Sequence, residues 1–235
     1  MTKGKKPGDR SELLTKEEMD RLFWVVSSDL YFKSLYTLLK NTGRRIGEVY
    51  GTYRDKKLTG GIRVKDIDFE NKTLKTFILK TKKRKLELEC INCNSKNNNK
   101  SKFCKECGTK LPAVDKSKLY YDTMDEKVIT LKDEVIFALK QYIKENKLGQ
   151  NNFLFREKSL IYLKKQIKVH VKKAEIKKNF SLHGFRHYFV TQMKRAGMSN
   201  EKIALWTGHV RPETLNIYNR MVPKDIEDEI NNVTL

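Results

Sequence analysis

Three short segments of this chain gather residues suited to phosphoryl chemistry. The first is Thr42-Gly43-Arg44-Arg45-Ile46-Gly47-Glu48, the second is His183-Gly184-Phe185-Arg186-His187, and the third is Gly208-His209, with Tyr218 nine residues beyond that histidine. Phosphoryl transfer needs positive groups held around the non-bridging oxygens, where charge develops in the transition state. Arg45 and Arg186 suit that task, because a guanidinium is a planar fork of donors that matches a phosphate and keeps its charge. The Tyr218 phenol, with an unperturbed pKa of about 10, becomes a useful nucleophile only beside cations and a proton acceptor. His183 is the side chain best matched to take that proton near neutral pH. Of the four histidines three fall in these segments; His170 is the other.

Each residue also has a plainer reading. Among 50 Lys and Arg, a given arginine is ordinarily a surface group or a DNA-backbone contact. A given tyrosine ordinarily packs half-buried against a helix. Tyr218 is set apart from the other nine tyrosines by its offset from Gly208-His209; Tyr120 and Tyr121, beside a cysteine-rich segment, lack that offset. The whole-chain charge points the same way as the segments. A net charge of +21 and a pI near 9.7 imply a polyanionic partner, since Lys and Arg that displace counterions from phosphates gain affinity without reading sequence. No basic amphipathic helix with a bulky apolar face favours a membrane surface instead. Charged residues make up 34% and apolar residues 38% of the chain, yet hydrophobic periodicity persists along most of it, which excludes global disorder. No apolar run of about 20 residues and no signal peptide stands out, so the sequence reads as a soluble, cytoplasmic, nucleoid-associated protein.

All four cysteines lie in one stretch, as Cys90-x2-Cys93 and Cys104-x2-Cys107, ten residues apart, with Gly108 following the second pair. Two such knuckles offer four thiolates at the spacing of a structural zinc ribbon, with the polar segment Asn94–Lys102 as its loop. Two disulfides are the alternative. With every position a cysteine there is no open place for water, so the metal is expected to be structural zinc and not catalytic. The expected insertion spans 90–110 and lies between two strands of a larger domain.

Taken together, the TG-x-R-[IV]-x-E box, the H-x-x-R-H box and GH followed by Tyr nine residues on resemble the tyrosine recombinase, or phage integrase, family. The resemblance covers about residues 12 to 222 apart from the cysteine insert. It implies a site-specific DNA recombinase that cleaves and rejoins double-stranded DNA through a 3′-phosphotyrosyl link to Tyr218. It implies Arg45, His183, Arg186 and His209 as catalytic residues, Glu48 as a support for an arginine and His187 in a supporting role. It also implies a lysine on a β-hairpin that protonates the leaving 5′ oxygen; in the basic stretch 72–85 Lys80, which precedes Thr81, is the choice and Lys82 the reserve. No nucleotide or catalytic metal is implied. Self-association on DNA is expected, because the tail beyond Tyr218 resembles a segment that relatives exchange between protomers. Relatives carry a helical core-binding domain ahead of the catalytic one, and none is expected in the dozen residues before the first helix here. Two other readings are a non-catalytic zinc-ribbon regulator on a recombinase scaffold and DNA relaxation of the type IB topoisomerase kind; the histidine of the second box favours the recombinase.

The elements that must position these residues follow from periodicity. Residues 1–10 read as a flexible basic arm and 11–235 as the catalytic domain. Thr15 and Glu18 form a capping box ahead of a helix, and Tyr31 to Asn41 form a second helix, with Leu35, Leu38 and Leu39 on its apolar face and Gly43 at its end. A short helix follows Arg45. Segments 62–68, 73–79 and 127–131 read as strands of one sheet. Helices are expected at 132–146, 158–174, 182–196, 200–207 and 212–220. The fold class is therefore α+β: a mostly helical tyrosine-recombinase catalytic fold with a small antiparallel sheet and an inserted zinc ribbon.

Overall fold

The structure is a computed structural model and describes residues 12–54, 57–83, 87–98, 101–112, 120–208 and 215. Its helices are α1 (Lys16–Val25), α2 (Leu30–Thr42), α3 (Ile46–Tyr50), α4 (Asp133–Glu145), α5 (Leu160–Lys173), α6 (Gly184–Arg195) and α7 (Asn200–Thr207). Its strands are β1 (Thr52–Arg54), β2 (Lys57–Thr59), β3 (Ile67–Asp68), β4 (Thr73–Lys83), β5 (Glu87–Glu89), β6 (Lys96–Asn98) and β7 (Tyr120–Thr130). The arm, the helix expected at 212–220 and the tail lie outside the described residues, save for Leu215, which is buried. Among the described residues no helix is long and apolar enough to cross a membrane.

Local chemistry explains the helix ends. The Glu18 N–H donates to the Thr15 hydroxyl at 3.2 Å, and the Thr15 N–H donates to the Glu18 carboxylate at 2.7 Å, which closes the capping box of α1. Asp29 caps α2 by accepting the Phe32 N–H at 3.1 Å. Gly43 ends α2 in the left-handed region at φ +63°, its N–H returning to the Leu39 carbonyl. A β-carbon there would fall 2.5 Å from the Phe189 ring, so glycine is required twice over, by conformation and by space.

α2 buries nine of its thirteen residues, Ser34, Thr37 and Thr42 among them, where the sequence marks a single leucine face. It packs against α4 and α6, while α1 packs against α5. Its buried polar groups find carbonyls on the neighbouring segments: Ser34 donates to the Ala138 carbonyl at 3.0 Å and Tyr31 to the Phe155 carbonyl at 2.7 Å. Tyr36 shares a 2.9 Å hydrogen bond with Nδ1 of the buried His170, so the fourth histidine belongs to the core. The Tyr36 ring also lies 4.9 Å from that of Phe185, which ties α2 to the residue before Arg186.

The small antiparallel sheet has the order β3-β4-β7, so the segment at 127–131 joins the sheet as expected. The strand expected over 62–68 does not form as such. Val64–Asp66 is a 3-10 turn, closed by the Asp66 carboxylate accepting the Arg63 N–H at 2.8 Å, and only Ile67–Asp68 pairs with β4. The preceding backbone groups bond instead to the 150–154 segment, for example Leu154 N–H to the Ile62 carbonyl at 2.9 Å. The antiparallel hairpin of β1 and β2 has no counterpart in the sequence reading.

Two compact units result: Leu79–Asp125, and Met1–Ile78 together with Glu126–Leu235. The smaller is wider than the 90–110 segment picked out by the cysteines. Within it β5 and β6 form an antiparallel hairpin, so residues 96–98 of the expected loop are a strand. Its core is Cys90, Cys104 and Leu111, with Leu88 packed alongside.

Candidate functional site

In the larger unit the first two sequence segments meet at the end of α7, the helix that leads into the third. Arg186, one turn into α6 and 1% exposed, donates from Nη1 to the Gly43 carbonyl at 2.9 Å and from Nη2 to the Thr207 carbonyl at 2.7 Å. One side chain of the second box thus holds the backbone of the first box and of the residue before Gly208-His209. The last carbonyls of a helix lack partners within it. Two buried arginines supply them here, since Arg44 Nη2 donates to the Trp206 carbonyl. Trp206 returns the contact through its indole N–H to the Thr42 carbonyl at 3.1 Å. Gly208 then closes α7 at φ +72°, and a β-carbon on it would meet Ile78 at 2.6 Å.

Arg45 stands at the N-cap of α3. Its backbone N–H and its Nη1 both donate to the Glu48 carboxylate at 3.0 Å. Glu48 is fully buried, while the Arg45 side chain is 36% exposed, so the buried acid anchors an arginine that is still accessible to solvent. The neighbouring Arg44 is wholly buried, and its Nε and Nη1 have no hydrogen-bond partner among the described residues. Burial pulls its guanidinium below the ordinary range, and Glu48 opposes that pull. Arg44, Trp206 and Thr207 escaped the sequence reading. The sign available was an arginine and a tryptophan placed close beside residues of the first and third segments.

His183 occupies the N-cap of α6 without using its side chain as a cap, so the imidazole is not committed to the helix. It meets the His187 ring edge-on at 4.7 Å. Desolvation by the surrounding protein, then the charges of His187, Arg186 and Arg45, push its pKa down to about 4. The ring still reaches solvent, which softens the shift, but all these influences act in one direction. His183 is therefore neutral at physiological pH and able to accept a proton. Arg45 and Arg186 thus each lie within electrostatic reach of His183. His209 and Tyr218 lie outside the described residues. Lys80 and Lys82 are both on β4, and their side chains are likewise outside them.

In the smaller unit the four cysteine sulfurs lie within 4.8 Å of one another. Cys90 to Cys107 and Cys93 to Cys104 are each 3.5 Å apart. A tetrahedral zinc with bonds of about 2.3 Å would need sulfurs about 3.8 Å apart, so the donor set fits such an ion. The knuckles repeat each other. Asn94 at φ +55° and Gly108 at φ +70° follow the second cysteine of each, and Ser95 and Thr109 then approach the Sγ of Cys93 and of Cys107 at 3.2 Å. The buried Asn97 joins the two, donating to the Ser95 carbonyl at 2.8 Å and accepting the Lys105 N–H at 2.9 Å. The Ser95 hydroxyl and the N–H of Cys107 hold the Cys104 thiol well below its ordinary range, which favours the thiolate that a metal binds. Four close cysteines that could bind a metal are thus present.

Comparison with known proteins bears on the larger unit. Residues 119–224 match the phage integrase family model. That phage integrase match takes in His183, Arg186, His209 and Tyr218, and leaves Arg45 and the cysteines outside it. The fold resembles those of solved recombinases and integrases. XerA recombinase superimposes with a TM-score of 0.63 at 19% identity, over 100% of this chain and 68% of that one. The Tn1549 transposon integrase in complex with transposon right end DNA gives 0.59 at 18%, over 91% and 63%. The catalytic domain of bacteriophage HP1 integrase gives 0.52 at 13%, over 95% of each. The chain therefore spans about two thirds of the XerA and Tn1549 chains and nearly all of the HP1 catalytic domain. No curated protein matches it.

Proposed function

We propose that this chain is a site-specific DNA recombinase that cuts and rejoins double-stranded DNA through a 3′-phosphotyrosyl link to Tyr218. The observation that carries this reading is the span of Arg186, which joins the backbones of Gly43 and Thr207. A buried network of this kind ties the first two segments to the end of the helix that leads into the third, which supports a shared site for the residues singled out for phosphoryl chemistry. In the reaction, the Tyr218 oxygen attacks the scissile phosphorus in line while neutral His183 takes its proton. Arg45, Arg186 and His209 hold the non-bridging oxygens. Lys80, with Lys82 in reserve, gives a proton to the departing 5′ oxygen. The phosphodiester energy stays in the tyrosyl ester, and a 5′ hydroxyl of the partner strand then attacks that ester and releases Tyr218. No nucleotide or catalytic metal takes part, and copies of the chain associate on DNA.

A duplex nicked just 3′ of the cleavage site, which on cleavage loses the short fragment bearing the free 5′ hydroxyl and so traps the ester, tests this reading. The expected result is a covalent adduct stable in SDS. Tight binding with no adduct on any such substrate would leave a DNA-binding protein on a recombinase scaffold.

The pH dependence follows from the lowered His183 pKa. A group whose folded pKa lies below its free value loses its neutral form only at lower pH. Single-turnover cleavage is therefore expected to hold level as pH falls to about 6.5, the free histidine value, and to decline only below it. An acid limb centred at or above that value contradicts the role given to His183.

The cysteine centre is proposed to hold one structural zinc through Cys90, Cys93, Cys104 and Cys107. The apolar core among the described residues of the smaller unit is small, so a metal is expected to contribute much of its stability. Chelation is expected to open residues 79–125 to protease while the helical body stays resistant, with one zinc released per chain. Unchanged resistance after complete metal removal counts against the zinc.

A further inference from the structure

The smaller unit carries surface that a metal centre does not require. Phe103 is 60% exposed, although it sits directly before the buried ligand Cys104. It pairs with Lys110 across an antiparallel bridge, and the Leu111 N–H to Lys102 carbonyl bond at 3.0 Å continues that pairing. Residues directly opposite in such a bridge project to the same face, with β-carbons about 5 Å apart. Lys110 therefore stands beside the Phe103 ring. Lys102 and Lys105 are exposed on either side in sequence, and the Lys105 backbone is pinned by Asn97. The nearby acid, Glu106, is engaged by Lys105 at 3.7 Å.

Residues 79–125 hold twelve Lys and Arg against six Asp and Glu. The unit stays cationic even after a zinc with four thiolates adds two negative charges. An accessible ring set among ammonium groups is a poor surface for another protein, whose interfaces need contiguous apolar area and few lysines. It is well suited to a nucleic acid, where the ring accepts a base face and the lysines accept phosphates. Bases inside a duplex already have both faces covered, so an unpaired base is the better fit.

We propose that this face of the cysteine unit binds single-stranded DNA, with Phe103 stacking on an unpaired base and Lys110 beside it contacting a flanking phosphate, while the cationic surface of the unit draws the strand in. The contact does not depend on strand cleavage by Tyr218, so it stands or falls separately from the recombinase reading.

The test uses the full zinc-loaded chain and a labelled twelve-nucleotide oligo-dT, followed by fluorescence polarisation at fixed salt. Phe103→Ala is expected to weaken binding about tenfold, while affinity for a duplex of equal length changes less than twofold and zinc content is retained. Phe103→Trp is expected to keep the affinity, and its added emission to be quenched by the oligonucleotide beyond any change in the parent chain. That second variant decides the matter if Phe103→Ala loses its zinc. Equal single-strand affinity in Phe103→Ala and the parent, an equal loss on duplex, or added emission in Phe103→Trp that is indifferent to saturating oligo-dT each overturns the proposal.

Discussion

Tyr218→Phe is expected to bind DNA as tightly as the parent chain and to leave no covalent protein on it. The two side chains differ by one oxygen, and in the proposed reaction that oxygen is the nucleophile, so the loss of adduct is complete and not graded. Affinity should scarcely change, because it comes chiefly from cations that neutralise phosphates, and the chain carries a net charge of +21. A gel shift at constant salt and an SDS gel of the same reaction, on a nicked suicide duplex, read the two quantities side by side. A stable adduct formed by Tyr218→Phe would falsify the assignment of the nucleophile. A large loss of affinity would mean that the phenol also helps to hold DNA, a role not assigned to it here.

Arg186→Lys is expected to reduce both adduct formation and stability. The guanidinium reaches two carbonyls at once, Gly43 at 2.9 Å and Thr207 at 2.7 Å, from a position that is 1% exposed. An ammonium is a compact point charge without the planar fork, so it can serve one carbonyl well and leaves the other short of a donor in the interior. Leaving a buried polar group unpaired costs about 1–3 kcal/mol, which a denaturation midpoint will register. Misplacement of the first and third segments, with loss of the fork at the phosphate, is expected to slow adduct formation by about 100- to 1000-fold. The pair of readouts matters. A stability loss with an unchanged single-turnover rate would make Arg186 a structural staple alone. A rate loss with unchanged stability would mean that its carbonyl contacts are incidental.

The helical body is legible in the sequence because its signals are local and mutually consistent. The Thr15–Glu18 capping box, the Gly43 terminator and the helix after Lys132 are written in residues a few positions apart. Legibility fades where partners are distant. Residues 62–68 carry strand-like alternation, but Asp66 folds back on the Arg63 N–H and the backbone pairs with residues 150–154, a partner no local pattern names. α2 reads as a helix with Leu35, Leu38 and Leu39 on its apolar face, yet Ser34, Thr37 and Thr42 are buried as well. At the site, the motifs that resemble the recombinase family single out Arg45, His183 and Arg186, but not the contacts that hold their segments. Those contacts are side-chain bonds to backbone carbonyls at Gly43, Trp206 and Thr207, and carbonyls have no residue type to read. Arg44 shows the same limit in reverse: as one more arginine in a basic chain it looks like a surface group, and it is fully buried. The cysteine spacing announces a metal-binding cluster, while the hairpin of β5 and β6 and the bridging role of Asn97 depend on contacts made only once the two knuckles face each other.

The most direct measurement is mass-spectrometric mapping of the residue that carries DNA after the parent chain is trapped on a nicked duplex and digested with protease and nuclease. A single modified peptide containing Tyr218, joined to the nucleotide through a 3′ phosphate, is the predicted result. Attachment at Tyr120, Tyr121 or any other residue, or linkage through a 5′ phosphate, contradicts the proposed reaction.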